Sequence, residues 1–185
     1  MKHSLLLAAD LRWRVAGPLC RHRFPLPIRP WLEESGSLTA RLEEKFGPVR
    51  VTVLYEGRGR LLPSERMRLG LNSKGWIWVR EVLLKAHGFP LVAARTVAPI
   101  STLKGVGTAF AHLGNRPLGE LLFTHPEVER GAMEWVRLHP RDWAMVNVPY
   151  PPWGRRTLYS IGGRPLLVNE FFLPGVPGLE MPDAE

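Results

Sequence analysis

The sequence predicts an α+β fold in which helices cover one face of a single antiparallel sheet. Three observations carry that prediction. Residues alternate with period two in separate early, middle and late segments, as half-buried strands do. Two dipeptides, His87-Gly88 and Gly162-Gly163, sit between strand-like runs where a tight hairpin turn is needed. The strands also come before and after one helical insert, without the strand–helix–strand alternation that builds parallel sheets.

The elements follow in chain order. Residues 1–30 mix Arg, Pro and Trp without sustained periodicity and read as a lead-in that either wraps the domain or stays partly mobile, with no chemistry expected there. After Pro30, Leu38, Leu42 and Phe46 recur at helical spacing, with Ser37 placed to cap and Gly47 to stop, so a helix is predicted over 37–46. From Val49, the residues Val49, Val51, Val53 and Tyr55 alternate against Arg50, Thr52 and Glu56, which predicts a half-buried strand. Runs 76–86 and 89–99 form the next two strands, paired antiparallel across His87-Gly88. Residues 101–123 are helix- and loop-forming and close on the amphipathic string PLGELLF. Strands return at 132–138 and on either side of Gly162-Gly163, and the tail 175–185 is irregular.

Composition bounds the function. The 185 residues suit one domain, and 45% hydrophobic with 23% charged residues describe a folded soluble chain. No apolar stretch approaches the roughly 20 residues of a membrane span, and the run after Lys2 is too brief for a signal peptide, so a cytoplasmic location is expected. The lone Cys20 excludes an internal disulfide, and the six histidines show no metal-ligand spacing. A net charge of +8 suits nucleic acid, anionic lipid or a small anion. The arginines are scattered and form no basic helix, which argues against nucleic acid.

Three charges fall where strands should be dry. Arg80 shares a face with Trp76, Trp78, Val82 and Leu84; Glu170 with Leu166, Val168 and Phe172; Arg95 with Leu91, Ala93 and Val97. A buried charge must pair with a protein group or a ligand. Alternation leaves three readings open: a structural Arg80–Glu170 salt bridge, a solvent-facing strand surface, or a pocket in which a guanidinium receives a carboxylate.

The strings SLTARLEEKFGPVRVTVLYEG, WVREVLL, ARTVAP with STL, LGNRPLGELLF and RPLLVNEFFLP, in this order over residues 31–174, resemble the bacterial chorismate pyruvate-lyase (4-hydroxybenzoate synthase) family. The resemblance implies a sheet of about six strands with helices to one side and a ligand in an enclosed cavity under helical flaps. It implies a cofactor-free lyase that splits chorismate into 4-hydroxybenzoate and pyruvate, the first committed step toward ubiquinone. Arg80 takes the place of the family's carboxylate-binding arginine, Glu170 that of its acid near the 4-hydroxyl, and Leu118 and Leu38 those of its backbone contacts. Trp153, Arg155 and Arg156 match too, in structural or electrostatic roles. Arg95 is either a second-tier partner for the enolpyruvyl carboxylate or a buried pair for Glu81. The expected partners are chorismate and 4-hydroxybenzoate, with no nucleic acid, no membrane segment and a monomeric chain. A non-catalytic effector-binding domain for small molecules is the rival reading, since related folds serve that purpose.

Overall fold

The computed structural model describes residues 3–15, 24–71 and 75–176, which leaves Cys20 outside the described residues. Among the described residues, seven strands form one wholly antiparallel sheet: β1 (Arg14–Val15), β2 (Val49–Gly59), β3 (Ile77–Ala86), β4 (Phe89–Pro99), β5 (Val128–Arg137), β6 (Trp153–Ile161) and β7 (Arg164–Phe172). Their order across the sheet is β1-β5-β6-β7-β4-β3-β2. The seventh strand, one more than the resemblance implied, is the two-residue β1, which pairs Arg14 with Trp135 at the edge of β5.

Among the described residues, four α-helices decorate the sheet: α1 (Arg29–Leu32), α2 (Leu38–Phe46), α3 (Pro63–Arg68) and α4 (Leu118–Thr124). Helix α2 forms where the sequence places it. Ser37 Oγ accepts from the Ala40 amide at 3.2 Å, and Gly47 leaves the helix at φ 76°. Both hairpin turns are also as expected, with positive φ at His87, Gly88, Gly162 and Gly163.

Helices α1 and α2 pack on one face through Trp31, Leu32, Leu38 and Leu42, against Val82, Leu84 and Phe172. Leu118 and Leu122 of α4 join Trp78, Tyr159 and Val168, which alternate onto that same face. Helix α3 departs from the one-sided expectation: its Glu65 bonds to Arg95, which points to the other face. That second face is also covered by the lead-in, whose Leu6, Leu7 and Leu11 are buried against Leu83, Ala93, Val136 and Phe171.

Two bulges decide which charges meet. In β2 the register shifts between Val53 and Tyr55, so Tyr55 stands opposite Glu81 and Glu56 opposite Arg80. The simple alternation that grouped Tyr55 with Val53 therefore ends at Leu54, because a bulge adds one residue to one strand only. In the β3–β4 hairpin the shift falls at Leu84/Lys85 and brings Glu81 opposite Arg95 and Arg80 opposite Thr96. Without it the hairpin register would oppose the two arginines, which is destabilising.

Candidate active site

The candidate site is a pocket on the α2/α4 face, floored by β3, β4, β7 and β6 and walled by the first turns of α2 and α4. Arg80, Glu170, Leu38 and Leu118 all line it. The cavity itself measures about 50 Å³ and is partly open to solvent, well below the roughly 300–1,000 Å³ of occupied small-molecule sites, so a ligand enters only as the walls move apart. Val82, Leu84, Ala94 and Val168 make the floor between the charges apolar. A wider groove beside β1 is lined by Arg12, Arg14, Arg137 and Arg141, all exposed, and offers charge without enclosure.

Arg80 is 2% exposed and only partly matched. Its Nε donates to Glu56 Oε2 at 3.1 Å, and its Nη2 donates to the carbonyls of Gly114 at 2.7 Å and Arg116 at 3.2 Å. These carbonyls tie the turn ahead of α4 to the floor. Burial lowers the Arg80 pKa from its ordinary value, and the Glu56 charge and hydrogen bond restore only part of the loss. Nη1 makes no hydrogen bond among the described residues, so the guanidinium retains a donor for an incoming carboxylate.

Glu170 stands two strand spacings across the sheet and two residues along it, roughly 12 Å away. It does not pair with Arg80. Its Oε2 accepts from Arg155 Nε at 2.6 Å, and Oε1 has no hydrogen bond among the described residues. Tyr159, four residues along β6 from Arg155, also lines the pocket; burial first, and then the Glu170 charge, raise its pKa. The arrangement can hold a flat, small anion with its carboxylate at Arg80 and a hydroxyl donor at Glu170.

Two of the second-tier candidates lie elsewhere. Arg95 is on the opposite face, where Nε and Nη2 hold both oxygens of Glu65 at 2.8 and 3.1 Å and Nη1 holds Glu81 at 2.9 Å. Burial works against this cation, yet the two carboxylates outweigh it and raise its pKa. Of the two roles offered for Arg95, the pair with Glu81 is the one formed. Arg156 alternates to that face as well and grips Glu134 through Nε at 2.7 Å and Nη2 at 3.2 Å. Neither reaches the pocket, because a strand sends successive side chains to opposite faces.

Sequence reasoning missed Glu56 and underweighted Arg155. Glu56 was hidden by the β2 bulge, which leaves no mark in the alternation. Arg155 carried a readable signal: counting back from the Gly162-Gly163 turn in strict register sets it opposite Glu170.

Fold and pocket together define a small α+β domain with a pocket, lined by both charged and apolar side chains, against an antiparallel sheet. Comparison with known proteins narrows the class. The chain matches the family model described as chorismate lyase over residues 12–178. It is 46% identical to a probable chorismate pyruvate-lyase of Methylococcus capsulatus, over 85% of this chain and 99% of that protein. It is 41% identical to a probable chorismate pyruvate-lyase of Halorhodospira halophila, over 96% and 98% of the two chains. The chain belongs to the chorismate lyase family. Among solved structures it is similar to PhnF from Mycobacterium smegmatis, with TM-score 0.52 and 12% identity over 78% of this chain and 66% of that one, a likeness of fold alone.

Proposed function

We propose that this chain is a chorismate pyruvate-lyase, which converts chorismate to 4-hydroxybenzoate and pyruvate as the first committed step toward ubiquinone. The observation that carries the reading is the pairing state of the pocket. Among the described residues, Arg80 Nη1 and Glu170 Oε1 have no hydrogen-bond partner, and they stand at opposite ends of an apolar slot in a member of the chorismate lyase family.

Arg80 binds the ring carboxylate, and Glu170 Oε1 accepts from the 4-hydroxyl. Leu38 and Leu118 cover the ring, and the first turns of α2 and α4 close over it to exclude water. With the ring so held, the enolpyruvyl methylene folds over C4. The C4 hydrogen passes to that methylene while the C4–H electron pair becomes the C3–C4 double bond. The C3–O bond breaks, and its oxygen becomes the carbonyl of pyruvate. Aromatisation drives the step, and neither an electron sink nor a nucleophile is needed, so no cofactor is assigned. The enzyme acts as a monomer in the cytoplasm without nucleic-acid or membrane partners; among the described residues, no helix is long and apolar enough to cross a membrane.

The test is to incubate purified protein with chorismate and no added cofactor, and to follow both products. Equimolar 4-hydroxybenzoate and pyruvate are expected. Binding of 4-hydroxybenzoate without turnover would instead favour a non-catalytic effector domain, and absence of both would dismiss the pocket as a ligand site.

A further inference from the structure

The Arg155 guanidinium bridges the floor of the pocket and the segment that leads into its wall. Its Nε donates to Glu170 on the floor, and its Nη1 donates to the carbonyls of Trp31 at 3.0 Å and Glu34 at 2.8 Å. Those carbonyls belong to the end of α1 and the loop that leads into α2. The next residues of the chain, Gly36 and Leu38, line the pocket. Arg155 is 3% exposed, so each of these bonds is made away from bulk water, where a charge-assisted bond is strongest.

The geometry points to Arg155 as a latch that couples the orientation of Glu170 to closure of the 33–37 loop over the pocket. A guanidinium is planar and rigid, so fixing Nε on a carboxylate also aims Nη1. With the Glu170 carboxylate in place, Nη1 is aimed at the loop carbonyls. Without it, the same side chain loses the anchor that sets its plane, and the loop loosens although none of its own residues has changed. A ligand that engages Glu170 thereby stabilises the wall above itself. Arg130 provides an internal comparison: its Nη2 also donates to Glu34 O, at 3.0 Å, and its Nη1 donates to Ser35 O, but it makes no bond to Glu170.

The inference rests on the pocket being a ligand site, yet hydrogen exchange of the free full-length protein tests it without turnover. Glu170→Leu should raise exchange of the 33–37 amides roughly tenfold, the loss expected when one charge-assisted bond goes, while the β3–β4 amides stay protected. Arg155→Met should raise the same amides, and adding Glu170→Leu to it should add nothing. Added to Arg130→Met, Glu170→Leu should still have its full effect, because only the Arg155 path is shared. In kinetics, Arg155→Lys should raise KM and speed 4-hydroxybenzoate release more than it lowers kcat. Wild-type loop exchange in Glu170→Leu would overturn the latch, as would full additivity with Arg155→Met. Should Arg155→Met fail to fold, the Glu170→Leu and Arg155→Lys arms decide alone. A wild-type protein that passes the exchange test but turns over no chorismate would sink the lyase reading and leave the latch standing.

Discussion

Arg80 and Arg95 stand on adjacent strands, each at most 2% exposed, and they illustrate two ways of burying the same cation. On the second face, Arg95 uses Nε, Nη1 and Nη2 on two carboxylates and the Arg60 carbonyl. Its partners are satisfied in turn: Glu81 accepts from Ser4 Oγ and the Leu5 amide, and Glu65 accepts from Asn169. On the pocket face, Arg80 has one carboxylate, 24% exposed, and a spare donor, and Glu170 has a spare oxygen. Burial and apolar neighbours are alike on the two faces; what separates them is whether the hydrogen-bonding capacity is used up. The two faces also explain the opposite pKa directions of the two arginines.

The comparison breaks most readily at Arg95. Arg95→Met should destabilise the fold by about 3–5 kcal/mol, because it strands Glu65 and Glu81 in a dry interior; urea melts measure it. Arg80→Ala should remain folded, since Glu56 can turn to water, but should lose about 2–5 kcal/mol of 4-hydroxybenzoate affinity in calorimetry. An Arg80→Ala protein as unstable as Arg95→Met, with normal affinity, would make the faces equivalent and end the argument.

Two smaller effects sharpen it. At Gly119 a Cβ would lie 3.3 Å from Ser37 Oγ and 3.8 Å from Thr39 Oγ1, where the first turns of α4 and α2 meet over the pocket. Gly119→Val should hold those turns apart and speed 4-hydroxybenzoate release roughly tenfold in stopped-flow, at a stability cost of about 1 kcal/mol. Unchanged release would mean the two turns do not move as a lid.

Tyr159 gives the smallest effect. Its pKa is raised in the folded state, so the unfolded chain gives up the phenol proton first. Stability from this group is therefore present below the ordinary tyrosine value of about 10 and is lost as pH climbs past it. Tyr159→Phe should flatten the stability loss between about pH 9 and 11 in thermal melts, and an unaltered alkaline slope would count against it.

Most of the fold was legible because its signals are local. Ser37 and Gly47 announce α2, and the two dipeptide turns fix two hairpins. Helix α3 was missed because its six residues, PSERMR, are too few to display a period. The two-residue β1 was missed for the same reason. Of the site, Arg80 and Glu170 stood out as charges among apolar neighbours, and Leu38 and Leu118 came only from the family resemblance. Alternation placed Arg95 and Arg80 in equally dry company, but it could not say that they look in opposite directions. Side assignment between strands depends on register; the bulge at Val53/Tyr55 resets it without a Gly or Pro to mark the place, whereas the one opposite Leu84/Lys85 falls beside Pro90, a mark that alternation alone does not weigh.

The lead-in has a practical consequence for anyone trimming this chain. Because the motifs begin at residue 31, the first thirty residues look expendable. Yet Leu6 is wholly buried, Leu7 and Leu11 nearly so, and Ser4 and Leu5 supply two of the donors that keep Glu81 content. A shortened protein would bare an oily strip of sheet beside a carboxylate left with Arg95 but stripped of its two lead-in donors. Such a surface invites copies to stick together, so poor solubility of a truncated version would say nothing about the chemistry on the other side.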